Sequence, residues 1–305
     1  MGRKNWWSEG GNMIVPDQKN MKVHFAGSEN QAHYNVLKAL EVKYSLYTAY
    51  PFLERMLYGK GKFPIIANHL KKEPYKIPQH VINTSKHTIQ DSGLFSLMFG
   101  ARAGNHDQKF LDQYYEKLIE FTTNYSQGAT IVEMDTQKIL GVESAWRYRE
   151  KLRKDVPNRI INVFHIEDGE KGLDRLIEYS DYIAISVPEL RKVKKKNHLL
   201  QLANYIKNKK PEIDIHLLGF TEKKNMKALN FCSSCDSTSY NSGVRYGFVQ
   251  GRKISEINNE KVRSLVTNEH YVNITKYVND MTAGGLILNI KSELHKYEKL
   301  AGSQD

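Results

Sequence analysis

The segment RIINVFHIEDGEKGLDRLIEYSDYIAISVP, residues 159–188, determines which class of fold the chain adopts. Its apolar run RIINVFHIED predicts a buried strand, GLDRLIEYS carries apolar residues at helical spacing, and YIAISVP predicts a second buried strand. A strand, a helix and a strand in this order form a βαβ unit, whose two strands pair in parallel. The segment therefore predicts a parallel sheet covered by helices.

The same alternation extends in both directions from this segment. Helical patterns separate the strands, for example between residues 107 and 125, where apolar residues recur every three or four positions. Because about eight strands fit the chain, we expect an α/β protein with a (β/α)8 TIM-like barrel in preference to a doubly wound sheet. The other predicted strands are MKVHFAG, YSLYTAY, HTIQDSG and ATIVEMD before the segment, and IDIHLLGF and FCSSCDS after it.

The composition of the chain varies along its length and predicts four parts. Residues 1–20 are polar and contain glycine, which is typical of an N-terminal extension. Residues 21–252 carry the barrel, and within them residues 51–80 are basic, aromatic and broken by Pro and Gly, so we expect an inserted basic segment there. Residues 253–305 predict a helical C-terminal tail that packs on the barrel, with a helix around Ile290 to Leu300.

The chain is basic. With 45 Lys and Arg against 34 Asp and Glu, its 305 residues carry a net charge of +11. This balance favours a polyanionic partner such as nucleic acid over an acidic small molecule. No segment approaches the roughly 20 apolar residues that cross a bilayer, and the first residues lack the apolar run of a secretory signal. We therefore expect no membrane partner and a cytoplasmic location.

The two cysteines of the chain, Cys232 and Cys235, are too few for a disulfide framework, which agrees with a reducing compartment. Their CxxC spacing supplies two of the four ligands that structural zinc requires, and no second CxxC or HxxxH follows them. We therefore expect no metal site.

Polar residues stand at the predicted ends of the strands. In (β/α)8 barrels the reactive residues lie at the C-terminal ends of the strands, so these residues are candidates for a site at one end of the barrel. Each of them taken alone is also a suitable helix cap. Several acidic groups crowded in one pocket must be paired, protonated or used in chemistry. The candidates are Asp91, Asp135, His165, Glu167, Asp168, Ser186, His216 and Asp236.

Two of these stretches resemble the signatures of a known family. DSGLFSLM, residues 91–98, is similar to the Asp-Ser-Gly-Gly-Phe-Gln signature of the tRNA-guanine transglycosylases. CDSTSYNSGVRYG, residues 235–247, resembles their nucleophile loop, in which an aspartate is followed nine positions later by Arg, an aromatic residue and Gly. Along nearly all of its length the chain more closely resembles the bacterial and phage relatives that insert 7-deazaguanines into DNA. This second resemblance is carried by MKVHFAG, DSGLFS, VFHIEDG, DYIAISVPE, HLLGF and SCDSTSYNSGVRYG.

The resemblance implies roles for the two strand-end aspartates. Asp236 matches the nucleophile and Asp91 the general acid/base of a pentosyltransferase that exchanges one base for another through two displacements. Small neighbours such as Ser237 and Thr238 leave room for a sugar ring and offer hydroxyl donors. Arg245 either binds a phosphate or pairs with a carboxylate to hold the loop.

The resemblance also implies a base pocket. Asp135 matches the aspartate that accepts hydrogen bonds from the guanine-like edge, and His165 stands where the tRNA enzymes carry a Gln that reads the base carbonyl. Ser186 falls near a family glycine that lines the pocket, and Phe95 is placed to stack on a base. The alternatives are a His165 satisfied by a neighbouring backbone group and a Phe95 that belongs to the core.

The zinc module of the tRNA enzymes is missing, because no cysteine follows Cys235. We therefore expect a DNA base-exchange enzyme that replaces guanine with a 7-deazaguanine, such as the 7-cyano form, through a covalent aspartyl-sugar intermediate and without a cofactor. The alternatives are a zinc-less tRNA-guanine transglycosylase and a non-catalytic nucleic-acid-binding barrel.

The resemblance to phage enzymes also bears on partners and location. The expected partners are DNA, with tRNA second, the free 7-deazaguanine base and a helper protein that opens the duplex. A phage-encoded enzyme of this kind would act in the host cytoplasm. Phosphate contacts are expected from the basic segments 51–76 and 191–196, and from Arg147, Arg149, Lys151, Arg153 and Lys154.

Overall fold

Eight parallel strands close into a barrel in sequence order, which confirms the predicted (β/α)8 TIM-like fold. The strands are β1 (Lys22–Ala26), β2 (Tyr44–Thr48), β3 (His87–Asp91), β4 (Thr130–Val132), β5 (Ile160–Phe164), β6 (Tyr182–Ser186), β7 (Asp214–Leu218) and β8 (Ser234–Ser237). The computed structural model describes residues 21–59, 75–94, 97, 107–193, 198–220, 222–245, 248–249, 252–253 and 280–301.

Helices alternate with the strands, as the apolar periodicity predicts. They are α1 (Gln31–Ala39), α2 (Tyr50–Tyr58), α3 (Lys76–Thr84), α4 (Gln108–Tyr125), α5 (Gln137–Leu140), α6 (Val142–Asp155), α7 (Gly169–Tyr179), α8 (Val187–Lys192), α9 (Leu199–Lys209), α10 (Lys223–Met226), α11 (Ser239–Arg245) and α12 (Asp280–Ala301). A 3₁₀ helix, Ile166–Asp168, follows β5, and a small antiparallel pair, β9 (Phe248–Val249) and β10 (Arg252–Lys253), follows α11. Among the described helices, none combines the length and the apolar character needed to span a bilayer.

The described residues fall into two compact units. Those within Met1–Val23, Ile160–Ser237 and Tyr297–Asp305 form the first unit, and those within His24–Arg159 and Thr238–Lys296 form the second. Strands β5 to β8 therefore belong to the first unit and strands β2 to β4 to the second.

In the first unit the strands are buried on both faces, as expected for a parallel sheet covered by helices. All five residues of β5 are buried. The register sets Ala184 of β6 beside His216 of β7, and His216 beside Ser234 of β8. At the start of β7 the buried ammonium of Lys207 donates hydrogen bonds to the carbonyls of Pro211 and Ile213. These bonds satisfy a charge that would otherwise be costly to bury.

The second unit is tied together by polar side chains in its core. The Tyr240 hydroxyl in α11 donates a hydrogen bond of 2.8 Å to the carbonyl of Ala26 at the end of β1. The carbonyl of Tyr240 accepts a bond of 2.9 Å from the side-chain amide of Asn289 in α12. Residues that are far apart in the chain, at β1, α11 and α12, are thus fixed by two consecutive hydrogen bonds.

The predicted insertion at residues 51–80 contains two helices that contribute to the core. Helix α2 buries Phe52 and Leu53, and helix α3 buries Ile77 and Val81. Residues 60–74 lie outside the described residues, so the basic middle of this segment stays a prediction.

Several element boundaries differ from the predicted ones. Strand β4 ends at Val132, so Asp135 lies three residues beyond the strand and not at its end. Strand β5 ends at Phe164, and the following Ile166–Asp168 forms the 3₁₀ helix. The C-terminal helix is longer than predicted, because α12 spans Asp280–Ala301. Residues 1–20 and 254–279 lie outside the described residues.

Candidate active site

Asp236 lies in β8 of the first unit with its carboxylate held through one oxygen. The backbone N–H of Gly219, just past the end of β7, donates a bond of 2.8 Å to Asp236 Oδ1. Nε2 of His216 lies 3.3 Å from the same Oδ1. The Asp236 side chain is 14% exposed, whereas His216 is fully buried. The carboxylate is therefore fixed from one side and still reaches solvent.

His216 is linked to further buried side chains behind the carboxylate. Its Nδ1 lies 2.5 Å from Ser234 Oγ, and the Tyr182 hydroxyl lies 2.5 Å from the same Ser234 Oγ. Because Ser234 and Asp236 are two residues apart in one strand, both side chains point to the same face of the sheet. Tyr182, Ser234 and His216 thus form a continuous buried chain that ends at the Asp236 carboxylate.

His165 and Ser186 lie in the same unit and make local contacts. Nδ1 of His165, directly after β5, lies 2.9 Å from Glu189 Oε2, and both side chains are nearly buried. Ser186 ends β6, and its hydroxyl accepts a hydrogen bond of 3.4 Å from the Glu189 N–H. Ser186 is therefore the N-cap of α8, and Glu189 joins the two predicted pocket residues.

The residues that could hold a metal ion in the described part of the chain are His165, Glu167 and Glu189, whose ligand atoms lie within 4.8 Å of one another. Glu167 is exposed, and His165 Nδ1 already contacts Glu189 Oε2 directly at 2.9 Å, so this ligand atom of each residue is engaged by the other. Cys232 and Cys235 are buried free thiols. Burial raises the pKa of the Cys232 thiol, which opposes formation of the thiolate that zinc requires.

Asp91 ends β3 in the second unit and begins a tight turn. Its Oδ1 accepts a bond of 3.1 Å from the Gly93 N–H, and its backbone carbonyl accepts one of 2.8 Å from Ala49 N–H. Gly93 has φ +81°, and a Cβ there would lie 2.5 Å from Tyr50 Cβ. The glycine of the DSG sequence is thus required by the backbone, because only glycine has both the conformation and the space for this turn.

Tyr114 of α4 stabilises the same turn through a hydrogen bond. Its hydroxyl donates a bond of 2.7 Å to the carbonyl of Ser92. Burial, and after it the nearby negative charge of Asp91, raise the pKa of Tyr114 well above its ordinary value. The hydroxyl therefore stays protonated and remains a donor to the turn.

Glu133, directly after β4, forms a contact that the sequence does not predict. Arg149 of α6 donates two hydrogen bonds to its carboxylate, and the guanidinium carbon lies 4.4 Å from the centre of the Trp146 ring. The prediction that Arg149 contacts phosphates is therefore wrong, because its charge is buried and paired. Asp135, two residues on, is half-buried in the same unit.

Of the remaining predicted site residues, the structure describes Ser237 and Thr238. Ser237 is buried in β8, whereas Thr238 is exposed and its carbonyl accepts a bond of 3.0 Å from Asn241 N–H. Phe95 and the side chain of Arg245 lie outside the described residues.

The first unit thus brings Asp236 and His216 together, and separately joins His165 and Ser186 through Glu189. The second unit contains Asp91, in its turn, and Asp135. Sequence reasoning named His216 as a polar strand residue but missed its contact with Asp236, and it missed Glu133 and Glu189 altogether. The chain has no match among models of protein families or among curated proteins, so the motifs and the geometry of Asp236 and Asp91 are the grounds for a functional assignment.

Proposed function

We propose that the protein is a pentosyltransferase that exchanges guanine in DNA for a free 7-deazaguanine base. The observation that carries the proposal is the setting of Asp236. A carboxylate that is partly exposed and held by one oxygen, with the Gly219 N–H at 2.8 Å, has the other oxygen to offer to an electrophilic carbon. The resemblance of the surrounding sequence to the transglycosylase nucleophile loop supports the same role.

The proposed reaction proceeds in two displacements. In the first, the Asp236 carboxylate forms a bond to the anomeric carbon of the sugar, the bond to N9 of guanine breaks, and its electron pair leaves with the base. The Asp91 carboxyl supplies the proton that neutralises the departing guanine. Each displacement inverts the anomeric carbon, so two of them retain its configuration.

The second displacement reverses the first with a different base. N9 of the incoming 7-deazaguanine attacks the anomeric carbon, and the electron pair of the ester bond returns to Asp236. The N9 proton passes to the Asp91 carboxylate, which restores the acid. The exchange consumes no water, oxidant or reductant, so in this proposal it needs no cofactor.

Recognition of the base is assigned to Asp135 and His165. A carboxylate such as Asp135 offers two acceptors to the two parallel N–H donors of a guanine-like edge. The buried Glu189 beside His165 holds the imidazole by Nδ1 at 2.9 Å and favours a proton on that nitrogen. His165 replaces the Gln of the tRNA enzymes, and for this reason we assign the choice of incoming base to it.

DNA is proposed as the polymer because the chain carries a net charge of +11 and lacks the cysteines of the zinc module. In the second unit, exposed Arg147 and Lys151 of α6 line a surface cavity of about 310 Å³, together with Gln108, Asp112 and Tyr148. These two cations are available for phosphate contacts, unlike Arg149. To act on a duplex, such an enzyme must flip the target nucleotide out or capture a single strand.

The proposal is tested by incubating the protein with tritiated guanine and, separately, single-stranded DNA, duplex DNA or tRNA. We expect label in DNA, loss of exchange in Asp236→Asn, and full exchange in Asp174→Asn, a control aspartate that contacts Lys209 on the outside of the first unit. Label in tRNA alone would favour the zinc-less tRNA enzyme. A protein that shifts DNA in a gel but labels no nucleic acid would be a non-catalytic binding barrel.

The product is identified by mass spectrometry of nucleosides from cellular DNA with and without the protein. We expect a 7-deazaguanine nucleoside that disappears in cells carrying the Asp236→Asn variant. DNA of unchanged nucleoside composition in cells that produce the base would contradict the proposed substrate.

A further inference from the structure

We propose that His216 is a positioning residue for Asp236, which fixes one carboxylate oxygen so that the other attacks the sugar. This inference rests on the proposed function and adds a residue to which the transglycosylase resemblance assigns no role. Its grounds are three contacts in series: Tyr182 to Ser234 and Ser234 to His216, both at 2.5 Å, and His216 Nε2 to Asp236 Oδ1, at the longer distance of 3.3 Å. All the atoms involved belong to the first unit.

The order of donors along this chain follows from counting hydrogens. Each hydroxyl has one proton to donate. If Ser234 donates to His216 Nδ1, then Tyr182 donates to Ser234, and the proton of a neutral imidazole is on Nε2, facing Asp236. If the order is reversed, Nδ1 carries a proton, and Nε2 must carry another to avoid a lone pair facing a carboxylate oxygen at 3.3 Å.

Both orders therefore assign an N–H to His216 Nε2, the nitrogen that lies 3.3 Å from Asp236 Oδ1. The first order places no charge on the fully buried ring, whereas the second order requires one. In this arrangement Tyr182 and Ser234 select the tautomer, as a second hydrogen bond commonly does for a functional histidine.

The consequence falls on the two oxygens of Asp236. Within the described residues, the contacts of its carboxylate, from Gly219 N–H and from His216, both involve Oδ1. Oδ2 is then the oxygen that bonds to the anomeric carbon. When the ester is later cleaved, the negative charge returns to a carboxylate that already has two donors, which stabilises the transition state of the second displacement.

A buried histidine that only fills the core would explain the burial of His216 but not the direction of its Nε2. The two roles are separated by His216→Leu, which keeps the approximate volume and removes both ring nitrogens, and His216→Gln, which keeps an N–H donor. The matched control is His24→Leu. His24 of β1 is equally buried, and its Nε2 lies 2.8 Å from His87 Nδ1, not from a candidate catalytic group.

Single-turnover exchange of tritiated guanine into single-stranded DNA measures the effect. We expect His216→Leu to lower the rate constant of exchange about 10- to 100-fold at an unchanged KM, the size of effect that follows from losing one hydrogen bond to a charged group. His216→Gln should recover a large part of the rate, and His24→Leu should retain the wild-type rate in its folded fraction.

A second measurement does not depend on activity. In protein labelled with ¹⁵N-histidine, the His216 signals, identified by their loss in His216→Gln, should show a neutral ring protonated at Nε2. They should shift in Asp236→Asn and remain in place in Asp174→Asn. A ring protonated only at Nδ1, or signals that do not respond to Asp236→Asn, would overturn the proposed contact.

The outcomes separate this inference from the proposed function. If the wild type exchanges guanine but His216→Leu is as active as His24→Leu, the positioning role alone is refuted. A wild type that exchanges guanine into no nucleic acid refutes the proposed function, and the positioning role with it, even where the NMR contact is present.

Discussion

Arg149 and Glu133 form a bidentate ion pair in the second unit, with hydrogen bonds of 2.7 and 2.6 Å and both side chains only 3% exposed. Removal of one partner leaves an uncompensated buried charge. We therefore expect Arg149→Met to lower the free energy of unfolding by about 3–5 kcal/mol, measured by urea denaturation.

The exposed neighbour Arg147 provides the control, and Arg147→Met should change the stability by less than about 0.5 kcal/mol. The double variant Arg149→Met with Glu133→Leu should recover most of the loss, since both charges are then absent. Equal stability of Arg149→Met and Arg147→Met would show that the pair contributes nothing to the fold.

In DNA binding we expect the exposed Arg147 to matter and the buried Arg149 not to, the reverse of their effects on stability. Arg147 and Lys151 are exposed on α6, so Arg147→Gln or Lys151→Gln should weaken binding to DNA of any sequence. Each should also reduce the slope of log affinity against log salt concentration by about one. Fluorescence anisotropy with a labelled oligonucleotide measures both. A larger change in the slope for Arg149→Met, at conditions where it is folded, would contradict the assignment of its charge to Glu133.

Gly93 should be among the least replaceable glycines of the described chain. Its φ is +81°, and an added Cβ would meet Tyr50 Cβ at 2.5 Å and Tyr50 N at 2.8 Å. We expect Gly93→Ala to cost about 3 kcal/mol or more of stability, from backbone strain and overpacking together. Base exchange should also fall, because the clash displaces the backbone N–H that donates to the Asp91 carboxylate.

A substitution at Gly59 separates the contribution of backbone strain from that of overpacking. It also has positive φ, +68°, but no atom lies within 4 Å of the position of its Cβ. Gly59→Ala should therefore cost only about 1 kcal/mol and leave base exchange intact. If thermal melts and exchange assays gave the same losses for both variants, the close approach to Tyr50 would not matter.

Much of the fold follows from periodicity, because strands buried on both faces read as apolar runs and helices repeat at every third or fourth residue. Contacts between side chains do not follow from periodicity. The meeting of His216 with Asp236 depends on the register that sets His216 beside Ser234, and no local pattern specifies a register between parallel strands. A histidine in the middle of the apolar strand DIHLL was the available signal.

The burial of Arg149 had a signal too. Arg149 stands four residues after Ala145 and three before Leu152, so it shares the apolar face of α6. A charged residue on a helix usually faces solvent. Arg149 is therefore grouped with the other basic residues of this segment as a predicted phosphate contact, although its spacing indicates burial. The positions of Asp236 and Asp91 within strands were predictable because strand ends are marked by the change from apolar to polar residues.

Stability at alkaline pH should depend on Cys232. Burial raises the pKa of this thiol far above its ordinary value of 9.0, with the positive charge of Lys207 acting in the opposite direction. Above about pH 9 the unfolded chain loses a proton that the folded chain retains, so the free energy of unfolding falls as pH rises, by up to about 1.4 kcal/mol per pH unit for this group. Below that pH both states keep the proton and the group contributes no slope.

Urea denaturation at pH values from about 8 to about 10.5 checks this dependence. Cys232→Ala should lose stability less steeply than the wild type above pH 9, whatever its stability at neutral pH. Parallel curves for the two proteins over the whole range would contradict the burial of a protonated thiol.

Base exchange should be insensitive to chelators. His165 Nδ1 and Glu189 Oε2 contact each other directly at 2.9 Å, so a metal ion there would have to displace this contact, and the proposed chemistry uses carboxylates alone. We expect equal exchange rates before and after dialysis against EDTA. If EDTA abolished exchange in the wild type and Zn²⁺ restored it, and if the response to EDTA and Zn²⁺ were absent in Glu167→Gln and Glu189→Gln, a metal would be assigned to His165, Glu167 and Glu189 instead.

The two hydrogen bonds that join Ala26, Tyr240 and Asn289 constrain when the protein can mature during its synthesis. The carbonyl at position 26 leaves the ribosome early, but its partner hydroxyl is translated 214 residues later, and the side chain that holds that partner later still. Because loop closure over such a span must await the distant segments, the nascent second unit stays incomplete until Tyr240 and Asn289 have both been synthesised. Ribosomes stalled before codon 240 should therefore carry chains that proteases digest readily, whereas chains that extend beyond α12 and have left the ribosome should resist them.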